Sequence, residues 1–176
     1  MGYSGGTSDQ PTYRRIGDHS ETIQIEYDPA QVSYAELLDV FWDGHSPTSR
    51  SWSRQYMSII FYHNDEQKRL AIETRDREAA RTDAEIFTEI VPFSEFYLAE
   101  DYHQKYWLQQ VPELTQEFED MYPDAGDFVN STAAARVNGY LGGHGTFEGL
   151  QAEIDSLGLS PVGREKLMDI VRAFGP

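Results

Sequence analysis

The pattern of apolar residues changes near Pro112, and this change constrains the fold more than any other feature. Upstream, residues 21–29, 55–63 and 84–92 have the Ile, Val and aromatic content of strands, and helical patterns separate them. Downstream, only helical patterns occur, over residues 112–122, 126–141, 146–157 and 160–173. We therefore predict an α+β sandwich over residues 1–111, followed by a helical C-terminal extension over residues 112–176.

Local signals give the bounds of several elements. Ser33, with Glu36 three positions later, predicts a capping box and a helix that ends near Gly44. Asn64 predicts the start of a charged helix over residues 65–82. Residues 2–20 are rich in glycine and turn residues and indicate a loop. The alternation in residues 21–29 predicts a half-buried strand, and residues 55–63 predict a central strand.

The charge and the composition exclude several classes of protein. The 176 residues carry 30 acidic and 14 basic side chains, a net charge of −16, which argues against binding to nucleic acid or to an anionic membrane. No stretch has the length of a spanning segment, and the N-terminus lacks the pattern of an export signal, so we expect a cytoplasmic protein, or an organellar one if the N-terminus is truncated. There is no cysteine, so this chain cannot supply a disulfide, a zinc thiolate or a thiol nucleophile.

One candidate for chemistry is the set Tyr13, Glu21 and Tyr56. Glu21 lies where the glycine-rich loop meets an apolar strand, a place where a carboxyl group can stay protonated and act as a proton donor. Two tyrosine hydroxyls beside it could donate hydrogen bonds to an oxygen that acquires charge. Spacing alone favours a structural role for all three residues over a catalytic one.

Other candidates are weaker. Five histidines, with Glu100 and Asp101, lack the spacing of a metal site, so we expect no metal. The glycine clusters GYSGG and NGYLGGHG lack the pattern of a dinucleotide or phosphate loop. Their glycines are more simply explained by turns with positive φ or by close approach of the backbone.

Taken in order, ten segments between residues 2 and 106 resemble the methionine sulfoxide reductase A family. They are GYSGG, PTY, HSE, YDP, SYAELLDVFW, HSPT, RQYMSIIFY, EQKRLA, TEI and AEDYHQKY. The resemblance implies a ferredoxin-like two-layer α+β sandwich and reduction of the S-epimer of methionine sulfoxide, free or in proteins. It also implies no metal or organic cofactor, with reducing equivalents from thioredoxin or a small thiol.

The resemblance assigns roles residue by residue. Tyr13 of PTY and Tyr56 of RQY match tyrosines that bind the sulfoxide oxygen, and Glu21 of HSE matches the acid that protonates it. The family nucleophile lies in a Gly-Cys-Phe-Trp-Gly motif that precedes GYSGG, together with the first strand and helix, and no match to it is present here. Ser51 stands where the family has an aspartate, and Leu141 stands near the position of a resolving cysteine.

Three explanations remain open for the missing nucleophile. The start of the chain could be assigned too late, with a cysteine or a selenocysteine upstream. The chain could instead be a pseudoenzyme that binds oxidised methionine without turnover, or an interaction protein in which the resemblance is inert ancestry. On any of these readings the chain is expected to be inactive alone.

Overall fold

The computed structural model describes residues 1–174 and shows a mixed α and β protein. Its contacts divide the chain into two compact units, Met1–Glu100 and Asp101–Pro176. The domain boundary expected between residues 111 and 112 stays a prediction. Within residues 1–174, no helix combines the length and apolar character that a bilayer span requires.

The first unit contains five strands and two helices. These are β1 (Gly2–Ser4), β2 (Ser20–Thr22), α1 (Tyr34–Asp43), β3 (Ile59–Tyr62), α2 (Asp65–Thr82), β4 (Glu89–Pro92) and β5 (Phe96–Leu98). Antiparallel pairing gives one sheet in the order β2-β1-β5, in which Tyr3 faces Glu21 on one side and Tyr97 on the other. A second sheet contains β3 and β4 in parallel.

The predicted helix boundaries in this unit are confirmed. The Ser33 hydroxyl accepts from the Glu36 amide at 3.2 Å, and the Glu36 carboxylate accepts from the Ser33 amide at 2.7 Å, which completes the capping box. Gly44 caps the C-terminus of α1, and the Asn64 side chain accepts from the Gln67 amide at the start of α2. These bonds satisfy amide groups that the first turn of a helix cannot pair internally.

The strand predictions are only partly confirmed. The strand expected over residues 21–29 spans only Ser20–Thr22, and Ile23 and Ile25 are 70% and 55% exposed. Among the described residues, no strand pairs with residues 23–28, so these residues are not part of a sheet on which their apolar side chains could pack. The segment predicted to contain a central strand forms β3, whose pairing within residues 1–174 is with β4 alone.

The second unit is helical in its described residues. It contains α3 (Pro112–Met121), α4 (Ala125–Asn130), α5 (Thr132–Leu141), α6 (Phe147–Glu153) and α7 (Pro161–Ala173). The single helix predicted over residues 126–141 is two, because Ser131 is extended, with ψ of 120°, and caps α5 through the Ala134 amide. Leu108, Leu114, Phe118 and Leu167 belong to its core and are 0% exposed.

Candidate active site

The candidate site lies in the first unit, where three separate segments meet. Tyr13 is in the loop between β1 and β2, Glu21 is in β2, and Tyr56 ends a 3₁₀ turn, Arg54–Tyr56. The hydroxyl oxygens of Tyr13 and Tyr56 are 3.4 Å apart, and the two side chains are 38% and 43% exposed. The pair is therefore accessible and can donate two hydrogen bonds toward one acceptor.

Glu21 is held beside the tyrosines by the same 3₁₀ turn. The Gln55 side-chain amide donates to the Glu21 carboxylate at 2.7 Å. The Ser20 hydroxyl donates to the Arg54 carbonyl at 2.6 Å, so β2 is joined to the turn at two neighbouring residues. The Glu21 carboxyl group is consequently held by the turn that carries Tyr56, close enough to contribute to the raised pKa of Tyr56.

Tyr13 also changes the pKa of Tyr56. The hydrogen bond with Tyr13 raises the pKa of Tyr56, and burial and the nearby Glu21 carboxylate raise it further. A raised pKa keeps the phenol protonated over a wider pH range. Tyr56 is thus held in the form that donates hydrogen bonds.

The effect of Tyr13 on the pKa of Tyr56 predicts that a substitution at Tyr13 changes the titration of Tyr56. Replacing Tyr13 by phenylalanine removes the hydrogen bond that contributes most to the raised pKa of Tyr56. We expect Tyr56 to titrate at a lower pH in Tyr13→Phe than in the unchanged chain, as measured by NMR of the Tyr56 ring signals. An unmoved titration would contradict the observed pairing. Tyr27→Phe, in a segment outside the pair, is the control.

Glu100 fixes the position of Tyr13. One carboxylate oxygen of Glu100 accepts from the Tyr13 amide at 3.1 Å, and the other accepts from the Tyr3 hydroxyl at 2.6 Å. Tyr3 is fully buried in β1, so the carboxylate joins the exposed loop to the sheet. No pattern in the sequence indicated this connection.

The GYSGG glycines shape the entry to the loop, as their pattern predicted. Gly5 has a φ of +81°, and a Cβ there would lie 2.8 Å from the Phe61 ring. A Cβ on Gly6 would lie 2.6 Å from the imidazole of His19 and from Asp18 Oδ1. Both positions therefore require glycine, one for its φ and its space and the other for close approach.

His19 and Asp18 hold the other end of this loop. The Gly6 amide donates to His19 Nδ1 at 3.1 Å, and His19 Nε2 contacts the Ser8 carbonyl at 2.8 Å. Asp18 accepts from the amides and hydroxyls of Thr7 and Ser8 at distances from 2.8 to 3.2 Å. These bonds, chiefly the one from the Thr7 amide, hold the pKa of Asp18 well below its ordinary value.

The lowered pKa of Asp18 predicts that the loop between β1 and β2 loses stability in acid. A lowered carboxyl pKa contributes stability above the unfolded-state pKa, near 3.8, and that contribution is lost as the pH falls toward the folded-state pKa. We expect exchange protection of the Thr7 and Ser8 amides to be constant from neutral pH down to about pH 4 and to fall below it. Asp18→Asn should lower that protection already at neutral pH, whereas Asp9→Asn, in the same loop, should not. Equal protection in both variants would contradict the assignment.

An apolar groove of about 590 Å³ lies beside the site. Its lining includes five residues of this unit, Glu21, Ile23, Ile25, Leu37 and Ile60. Glu21 therefore lines a largely apolar surface, and its role as a proton donor stays a prediction.

Two other predicted candidates, His45 and Ser51, form their hydrogen bonds elsewhere. His45 bonds through Nδ1 to the Phe41 carbonyl at 2.7 Å and through Nε2 to the Thr88 hydroxyl at 2.9 Å. The Ser51 hydroxyl contacts its own turn, donating to the Ser53 carbonyl at 2.8 Å. Within residues 1–174, no three His, Cys, Asp or Glu side chains are grouped so that they could hold a metal ion.

Comparison with known proteins decides the family. The family model described as peptide methionine sulfoxide reductase matches residues 1–144. The chain belongs to the peptide methionine sulfoxide reductase A family. A second family model, described as the helical domain of selenoprotein methionine sulfoxide reductase A, matches residues 126–172. The resemblance drawn from the ten sequence segments is confirmed.

Individual methionine sulfoxide reductases agree with this assignment. A peptide methionine sulfoxide reductase of Drosophila melanogaster is 43% identical over 167 residues, which cover 94% of this chain and 67% of that protein. An enzyme of Methanosarcina acetivorans is 46% identical over 118 residues, or 61% of this chain and 63% of that protein. The crystal structure of reduced Mxr1 from Saccharomyces cerevisiae matches with a TM-score of 0.58 and 29% identity, covering 64% of this chain and 70% of that one.

Proposed function

We propose that this chain supplies the oxygen-binding and proton-donating half of a site that reduces the S-epimer of methionine sulfoxide to methionine. The observation that carries the proposal is the 3.4 Å separation of the Tyr13 and Tyr56 hydroxyls, with Glu21 joined to the same turn through Gln55. The family membership supports the choice of substrate.

In the proposed reaction the sulfoxide oxygen accepts hydrogen bonds from Tyr13 and Tyr56. Glu21 gives this oxygen a proton, which makes the sulfur more electrophilic and the oxygen ready to leave it. A thiolate or selenolate attacks the sulfur and forms a bond to it, while the S–O bond breaks and the oxygen, protonated by Glu21 and by solvent, leaves as water. Water then attacks the sulfur or selenium atom of the nucleophile, the new bond to the substrate sulfur breaks, and methionine leaves with a proton returned to solvent, so that the nucleophile becomes a sulfenic or selenenic acid. Two thiols then return the nucleophile to its reduced form, giving a disulfide and water.

The nucleophile must come from outside residues 1–176, because these residues contain no cysteine. The match to a domain described from a selenoprotein supports selenocysteine as well as cysteine in this role. On this proposal the 176-residue chain is inactive alone. Thioredoxin or a small thiol is the proposed reductant, no metal or organic cofactor is needed, the location is cytoplasmic, and the first unit is part of a ferredoxin-like sandwich.

The test compares two preparations. Protein purified from its own source is assayed for reduction of the S- and R-epimers of N-acetylmethionine sulfoxide, and its intact mass is measured. We expect reduction of the S-epimer only, and a mass above 20.1 kDa that includes an upstream cysteine or selenocysteine peptide. The recombinant 176-residue chain should show no turnover. No reduction of the S-epimer by the natural protein would overturn the proposal.

The absence of cysteine from the chain favours a second candidate. A protein that keeps the tyrosine pair and Glu21 without a nucleophile could bind oxidised methionine without reducing it. If the protein from its own source has a mass of 20.1 kDa, binds the sulfoxide and shows no turnover, it is a non-catalytic binding module. If it binds only a protein partner, it is an interaction module.

A further inference from the structure

The most exposed tryptophan of the chain lies beside the proposed site. Trp52 is 84% exposed, whereas Trp42 is 2% and Trp107 is 48% exposed. Single exposed apolar side chains are common on protein surfaces, so exposure alone carries no argument. The position of Trp52 is what matters, because its ring centroid is 5.4 Å from that of Tyr56, at an interplanar angle of 51°.

The backbone around Trp52 is held in a defined turn. The Ser51 hydroxyl donates to the Ser53 carbonyl at 2.8 Å and accepts from the Ser53 amide at 3.3 Å, so the bonds close around Trp52. The indole is therefore presented by an ordered turn next to a residue that also contacts Tyr13. Together, Trp52 and Tyr56 form a continuous aromatic surface that includes one of the two paired hydroxyls.

This surface lies within reach of a side chain that neighbours the sulfoxide. The indole is 5.4 Å, centroid to centroid, from the ring whose hydroxyl is the proposed oxygen ligand, and an extended peptide advances about 3.3 Å per residue, so Trp52 lies within a few residues of the sulfoxide along a bound strand. A free amino acid has no side chain at that distance, only its charged termini, which bury far less apolar surface against an indole than a side chain does. A peptide has a neighbouring side chain there, which can pack against the indole face.

We propose that Trp52 binds the side chain next to methionine sulfoxide in an extended peptide and thereby favours protein-bound over free methionine sulfoxide. This inference rests on the proposed function, since it requires the sulfoxide oxygen to lie at Tyr13 and Tyr56. It assigns Trp52 a role in specificity and none in the chemical step.

The test measures binding to the 176-residue chain, which requires no nucleophile. One probe is an acetylated and amidated peptide with methionine (S)-sulfoxide between two leucines, and the other is N-acetylmethionine (S)-sulfoxide amide. We expect Trp52→Ala to weaken peptide binding roughly tenfold and binding of the small probe less than about twofold. Trp52→Phe, which keeps an aromatic ring, should retain most of the peptide affinity. The peptide should also shift the tryptophan emission of the unchanged chain to shorter wavelength, and Trp52→Phe should abolish that shift.

The outcomes separate the two proposals. If neither probe binds the unchanged chain, the proposed oxygen site is wrong, and this inference fails with it. If both probes bind but Trp52→Ala weakens neither, or weakens both equally, the specificity role is wrong while the oxygen site stands. Selective loss of the peptide, with recovery in Trp52→Phe, supports the inference.

Discussion

Replacing Glu21 by glutamine is expected to lower the rate of sulfoxide reduction about 10²–10⁴-fold in the protein that carries its nucleophile. The substitution keeps the size of the side chain and removes only the proton that the carboxyl group can give. Binding of the sulfoxide should change little, because Tyr13 and Tyr56 remain. The measurement is kcat and KM for N-acetylmethionine (S)-sulfoxide, and the loss should appear in kcat.

Glu26→Gln is the matched control for this prediction. Glu26 is exposed and lies in the same segment, five positions after Glu21, and its substitution makes the same change of charge. It should leave kcat within about twofold of the unchanged enzyme. If Glu21→Gln retained the full rate, or if both variants lost activity equally, Glu21 would not be the proton donor.

Replacing Phe118 by alanine is expected to cost the helical unit about 3–5 kcal/mol. Phe118 is 0% exposed, and its ring is nearly parallel to that of Tyr122, with centroids 6.3 Å apart. The loss combines the transfer of apolar surface to water with the cavity left behind. Since a whole domain is stable by only about 5–15 kcal/mol, the unfolding midpoint in urea should fall sharply.

Phe174→Ala makes the same change at a residue that is 55% exposed in the same unit. It should cost less than about 1 kcal/mol, because most of its surface is already in water. Circular dichroism of both variants across a urea titration gives the comparison. Similar midpoints for the two variants would contradict the core position of Phe118.

The sequence was most informative where local chemistry decides structure. The boundaries of α1 and α2 follow from Ser33, Glu36 and Asn64, since caps and their partners are three residues apart. The strands β1 and β5 were missed because each has only three residues, too few to show an alternation. Their pairing joins residues more than 90 positions apart, which no local pattern can indicate.

For the candidate site, too, some features could be predicted from the sequence and others appear only in the folded chain. From spacing alone, a structural role was the better explanation for Tyr13, Glu21 and Tyr56, and the resemblance to a family singled them out. The structure brings the two hydroxyls within 3.4 Å of each other, through a loop held by Glu100. Glu100 and Gln55 carried no sequence signal, because a carboxylate and an amide acquire such partners only in the folded chain.

NMR titration of the 176-residue chain with N-acetylmethionine (S)-sulfoxide amide, its R-epimer and the corresponding thioether would show whether Tyr13, Glu21 and Tyr56 bind the sulfoxide oxygen. We expect the S-sulfoxide to bind most tightly and to shift the signals of Tyr13, Glu21 and Tyr56. The thioether, which lacks the oxygen, should bind weakly and leave those signals in place. Equal binding of the sulfoxide and the thioether, or shifts confined to other residues, would contradict an oxygen-binding site at this position.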